Sequence, residues 1–131
     1  MIKLTLVKGL QFMVEDRHGH KIAIDTDKKY GGFDEGIHPM EFILVSLAGC
    51  MAMDIVSILQ KKGGRIDKFD VTAEGHKAAN HPKRYEKIIL KFNCEGDYAR
   101  KDLLRSFELS RDKYCGAYAT LRSAPEIEFM I

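Results

Sequence analysis

The residues best suited to covalent chemistry are three cysteines, Cys50, Cys94 and Cys115. A thiol with an ordinary pKa near 8.5 becomes a good nucleophile only where a cation, a helix N-terminus or a metal stabilises its thiolate. Cys50 stands in Leu47-Ala48-Gly49-Cys50-Met51, with Ser46 and Asp54 four residues to either side. On a helix these three side chains share one stripe. Buried polar groups need partners, so the stripe is either a polar seam at a packing interface or a site. A buried cysteine acting as a small hydrophobe fits the same pattern. Because Cys50 lies well inside its segment, the helix dipole does not reach it. An ionised Asp54 one turn away opposes a thiolate. Reactivity at Cys50 therefore requires a positive or donor group from elsewhere, and Arg17, Lys28 and Lys29 are the nearest candidates.

Cys115 follows Ser110-Arg111-Asp112-Lys113-Tyr114, with Arg111 at i−4 and Lys113 close by. It sits at the junction of two helical segments, where free backbone N–H groups are able to face a thiolate; a buried thiol at a helix corner is the alternative. Cys94, in Lys91-Phe92-Asn93-Cys94-Glu95, has no such company and reads as a core position on a strand. The five histidines (His18, His20, His38, His76 and His81) form no zinc spacing such as His-Glu-x-x-His, and there is no Cys-x-x-Cys. They read as turn or surface residues, and no metal site is expected. Gly31-Gly32 and Gly63-Gly64 lack phosphate-loop context and read as turn residues.

The elements that must position these thiols follow from periodicity. Residues 2–7, 10–15 and 20–25 alternate apolar and polar positions, as half-buried strands do. Gly9 and Arg17-His18-Gly19 separate them, predicting an antiparallel meander. Residues 26–38 form a glycine-containing loop, long enough to be functional or mobile. Pro39 to Lys62 then reads as one helix about 36 Å long, opened by proline and closed by Gly63-Gly64. It is apolar on nearly all sides, yet its uncharged run, Phe42 to Met53, is shorter than the roughly 18 residues a membrane span needs. Such a helix belongs in the middle of a core, and a second subunit would help to cover it. Residues 66–79 and 84–95 alternate again around the turn Asn80-His81-Pro82-Lys83. Residues 97–114 and 116–122 are helical, and 126–131 reads as a closing strand. The predicted order is βββ-α-ββ-α-α-β, an α+β layer design in a single domain of residues 1–131.

Composition bounds the setting. The chain has 131 residues and a net charge of +2. That near balance argues against nucleic acid or an anionic membrane as the main partner. No basic region followed by an apolar stretch opens the chain, so no signal peptide is visible. An odd number of cysteines cannot form a closed intramolecular disulfide framework. The expected compartment is the reducing cytoplasm.

His38-Pro39-Met40-Glu41-Phe42 opening the apolar helix, Leu47-Ala48-Gly49-Cys50 within it, and Leu109-Ser110-Arg111-Asp112-Lys113-Tyr114-Cys115 some 65 residues later form a specific combination. It resembles the family of osmotically inducible protein C and the organic hydroperoxide resistance proteins (OsmC/Ohr-like), over nearly the whole chain. The resemblance implies an antiparallel sheet wrapped on a long central helix in an intertwined homodimer. It implies a peroxidase in which Cys50 attacks an organic hydroperoxide and Cys115 resolves the product as a disulfide. It implies no bound cofactor, but an external dithiol, often a lipoyl group, as reductant, and a role in oxidative or osmotic stress.

Three departures mark a divergent branch. Met40 stands where the peroxidases keep a glutamate, and Glu41, about 900° around the helix from Cys50, faces the opposite way. Residues 26–38 contain no arginine to match that of the peroxidases, and Gly116 replaces a proline that often follows the second cysteine. The alternative reading is a non-catalytic module that binds a hydrophobic ligand in the dimer groove.

Overall fold

A computed structural model describes residues 1–130. The chain forms two compact units, Met1–Ile43 and Leu44–Ile131.

The first unit is built on the predicted meander. Strands β1 (Lys3–Lys8), β2 (Gln11–Glu15) and β3 (Lys21–Ile24) pair antiparallel in that order. Leu4 lies opposite Val14, and Phe12 opposite Ile24. The loop after β3 is tied down rather than open. The Asp25 carboxylate, 2% exposed, accepts N–H bonds from Thr26 (2.8 Å), Phe33 (3.1 Å) and Glu35 (3.2 Å). The Gln11 amide donates to Asp25 at 3.4 Å and to Glu35 at 3.2 Å. Burial pushes the Asp25 carboxyl up, but the N–H groups of Thr26, Glu35 and Phe33 and the Gln11 amide outweigh it and leave it below its ordinary value. The loop closes so tightly that a Cβ on Gly32 would overlap the Thr26 carbonyl, so only glycine fits there.

Helix α1 (Pro39–Lys61) begins and ends as its sequence predicts. Glu41 reaches back to accept the His38 N–H at 3.2 Å, half of a capping box. At the far end Gly63 takes φ +85°, and the N–H groups of Gly63 and Gly64 bond the Gln60 and Leu59 carbonyls (2.9 and 3.0 Å), a Schellman closure. By length and composition alone this helix is able to cross a membrane. In the fold, its seam of Leu47, Met51, Ile55 and Leu59, one residue every turn, is buried.

That seam organises the second unit. Strands β4 (Arg65–Lys77) and β5 (Tyr85–Asp97) form a long antiparallel hairpin, Arg65 opposite Asp97 and Val71 opposite Phe92. Alternate residues Phe69, Ile88, Leu90 and Phe92 pack against Leu47, Met51 and Ile55. Helix α2 (Arg100–Leu109) adds Leu103 and Phe107, whose ring meets Phe92 edge-on at 5.7 Å between centroids. A π-helical turn, Ser110–Tyr114, and helix α3 (Gly116–Arg122) complete the unit.

The α+β class and antiparallel pairing are as expected, the meander and the later strand pair forming a three-stranded and a two-stranded sheet, with one correction. The predicted closing strand is not formed: residues 124–130 take no regular structure, and Ile131 lies outside the described residues. Alternation supplies a face but not a partner, and the tail pairs with neither sheet; Ile127, Phe129 and Met130 stay exposed.

Candidate functional site

Cys50 and Cys115 meet in the core of the second unit. Cys50 sits on α1, half-buried, one residue before Met51 of the seam, while Cys115 is 3% exposed and belongs to the same hydrophobic cluster. The two sulfurs and a carboxylate oxygen of Asp54 all lie within 4.8 Å of one another. Both thiols are free.

The local structure around Cys115 explains its placement. In the π turn the Cys115 N–H bonds the Ser110 carbonyl at 2.8 Å, five residues back. The wider turn inserts a residue relative to an α-helix, a feature frequent at functional sites. The backbone then straightens (φ −71°, ψ 100°), so Cys115 becomes the N-cap of α3. Its sulfur accepts the Tyr118 N–H at 3.3 Å. The junction thus presents a backbone N–H to this sulfur, as its sequence position suggests. Burial pushes the Cys115 thiol up, and neighbouring Cys50 adds to this, while the Tyr118 and Ala117 N–H groups pull it down less strongly.

Asp54 is held by a residue that sequence reasoning left without a role. Ser110, fully buried, donates its hydroxyl to Asp54 Oδ2 at 3.0 Å and so joins α1 to the π turn. Its signal is present in the chain: a serine among charged residues, five positions before the second cysteine. Of the expected stripe, Cys50 and Asp54 enter this cluster, whereas Ser46 is exposed.

Four of the candidate cations have other partners. Arg111 clamps Asp112 through two bonds, 2.6 and 2.7 Å, and lies over the Phe107 ring; Lys113 lies over Tyr114. In the first unit, Arg17 Nε donates to His18 at 3.0 Å and Lys29 pairs with Asp27 at 3.5 Å. His38 stands between Asp27 and Asp34, at 3.7 and 4.0 Å. Cys94 lines an apolar cavity of about 150 Å³ with Ile55, Phe69, Phe92, Leu103 and Phe107. A second, open cavity of about 390 Å³ reaches Asp54 from the side of Lys61, Lys62 and Tyr114.

Fold and site together define an α+β protein with a pair of core thiols carried on its long helix and on a helix junction. Residues 32–130 match the family model described as OsmC-like protein. The chain belongs to the OsmC-like family. It is 36% identical over 130 residues to protein YhfA of Escherichia coli strain K12, covering 95% of this chain and 91% of that relative. A hypothetical protein from Aquifex aeolicus superposes with a TM-score of 0.82 at 29% identity, over 95% of this chain and 87% of that one. An organic hydroperoxide resistance protein OsmC from Legionella pneumophila superposes with a TM-score of 0.66 at 15% identity, over 94% and 90% of the two chains. At that identity the last likeness shows the shared fold.

Proposed function

We propose that the protein is a thiol-dependent peroxidase that reduces organic hydroperoxides through Cys50 and Cys115, in defence against oxidative or osmotic stress. The observation that carries this reading is the meeting of two free sulfurs within 4.8 Å, from positions 65 residues apart, beside the apolar cluster of Leu47, Met51 and Ile55. The hydroperoxide resistance proteins among its structural neighbours support it.

Cys50, the more accessible of the two, is the attacking thiolate. Its sulfur takes the terminal hydroperoxide oxygen, the O–O bond breaks, and the alkoxide leaves as an alcohol after gaining a proton. Cys50 is then a sulfenic acid. The Cys115 sulfur displaces its hydroxyl, forming a disulfide and water. Because burial holds Cys115 as a thiol, its proton is available to that departing hydroxyl. An external dithiol, lipoyl in class, returns both cysteines to thiols by exchange. With Met40 in place of a glutamate and no arginine in residues 26–38, the expected rate is below that of members carrying both. The protein works in the cytoplasm as a homodimer. Every residue of β1 is exposed, as is Met53 of α1 at 76%, and a second copy would cover such faces.

The test is consumption of cumene hydroperoxide with dihydrolipoamide as reductant. Wild type and Cys94→Ser turn over; Cys50→Ser does not, and Cys115→Ser accumulates sulfenic acid at Cys50. Unchanged turnover in Cys50→Ser overturns the reading.

A second reading, a non-catalytic binder of a hydrophobic ligand, is favoured by the apolar cavity beside Ile55 and Phe92. It predicts a copurifying lipid and no peroxide turnover.

A further inference from the structure

We propose that Cys50, Cys115 and Asp54 form a zinc site with one coordination position left open. The donor set is two thiolate sulfurs and one carboxylate oxygen. Soft thiolates select zinc over hard cations such as magnesium, which take oxygen ligands. Three protein ligands with a vacant fourth position is the composition of reactive rather than purely structural zinc centres.

The geometry admits the ion with small movements. An ion centred among three atoms no more than 4.8 Å apart sits at most about 2.8 Å from each. Zinc–thiolate bonds are about 2.3 Å and zinc–carboxylate bonds about 2.0–2.2 Å. Each ligand therefore moves inward by about half an ångström, within reach of side-chain torsions alone. Cys50 and Asp54 lie four residues apart on α1, a spacing that puts two ligands on one helix face.

Two outer contacts hold the donors as a metal site requires. Metal-ligating carboxylates are themselves hydrogen-bonded, and the buried Ser110 hydroxyl holds Asp54 Oδ2 at 3.0 Å. The Tyr118 N–H at 3.3 Å from Cys115 Sγ is a donor to a sulfur that must become anionic. An open cavity lined by Lys61, Lys62 and Tyr114 reaches Asp54, one of the three ligands. Sequence spacing does not show this set, because its third ligand arrives from 61 residues beyond Asp54 through the fold.

Binding breaks two S–H bonds, releases both protons to solvent, and forms two Zn–S bonds and one Zn–O bond. No electrons move. The site goes beyond the peroxidase reading and competes with it for the same sulfurs. Zinc-loaded protein has no free attacking thiol, and oxidation of the pair to a disulfide gives two electrons to the peroxide and expels the ion.

The experiment is anaerobic loading of the reduced, full-length chain with Zn²⁺, gel filtration, metal analysis and competition with a chromophoric chelator. Expected is one zinc per chain, none in the peroxide-oxidised chain, and none in Cys50→Ser or Cys115→Ser. Cys94→Ser keeps full occupancy, and Ser110→Ala weakens binding about 10- to 100-fold. Because a core substitution is able to disturb folding, unmutated protein supplies a second readout. Zinc protects Cys50 and Cys115, but not Cys94, from alkylation mapped by mass spectrometry. Reduced protein that retains no zinc, zinc that survives Cys50→Ser, or protection that falls on Cys94 overturns the proposal. None of these readouts depends on peroxide turnover, so a failed peroxidase assay leaves the zinc result independent, and the reverse.

Discussion

Oxidising the Cys50–Cys115 pair should strengthen the fold by an amount its position sets. A bridge between these residues closes a loop of about 66 residues, which the chain-entropy relation converts to about 4 kcal/mol at 25 °C. Against this stands the movement the bond requires. The sulfurs lie within 4.8 Å, and a disulfide needs about 2.05 Å, so the side chains must turn inward by up to almost 3 Å and give back part of the gain. The net expectation is about 2–4 kcal/mol. With an m-value near 2 kcal/mol per molar urea, that raises the unfolding midpoint by about 1–2 M. The assay treats the protein with one equivalent of hydroperoxide and confirms by peptide mapping that Cys50 and Cys115 are joined and Cys94 is free. Urea unfolding is then followed by circular dichroism, with reduced protein as reference. A bridge that includes Cys94, or a mapped Cys50–Cys115 bridge that leaves the midpoint unchanged or lowers it, would refute the placement of the two thiols.

Further expectations are local. Ile55→Ala, at a side chain 1% exposed against the thiol cluster, should lower stability by about 3–5 kcal/mol, since it borders an existing cavity and deepens it; urea unfolding measures this. Ser110→Ala removes the hydroxyl held to Asp54 and should lower stability by about 1–3 kcal/mol, while Ser110→Thr keeps the donor and should recover part of the loss. Asp25 gives a pH signature. Its folded value lies below the ordinary 3.8, so its contribution is fully present above that pH and is lost as pH falls through the folded value. Hydrogen exchange in residues 26–38 should therefore accelerate below about pH 3.8, and Asp25→Asn should abolish the step.

Most elements are legible because each carries a local signal. Pro39 and Gly63-Gly64 bracket α1 within a residue of its observed ends. Alternation around Phe92 locates β5, although its pairing extends to Asp97. The segment read as one helix to Tyr114 is α2 followed by a π turn, a change of backbone repeat that leaves the apolar spacing of Leu103 and Phe107 intact. The closing strand fails for a different reason: Ile127 and Phe129 alternate correctly, but a ladder is a property of two segments. At the site, Cys50 and Cys115 are visible as residue types and by family likeness. The Ser110–Asp54 bond and the Gln11–Asp25 clasp are products of tertiary folding, and no spacing rule encodes them.

Cys115 also serves as a structural bracket, because its sulfur receives the Tyr118 N–H that opens α3. A thiolate, a zinc-bound thiolate and a disulfide sulfur differ in how strongly they accept that proton. Capping contributes about 0.5–2 kcal/mol to a helix, a large share for one of only seven residues. The chemical history of one sulfur is therefore recorded in how firmly a helix start is wound. A probe that senses only backbone motion at residues 116–122 reads whether the pair is reduced, oxidised or metallated.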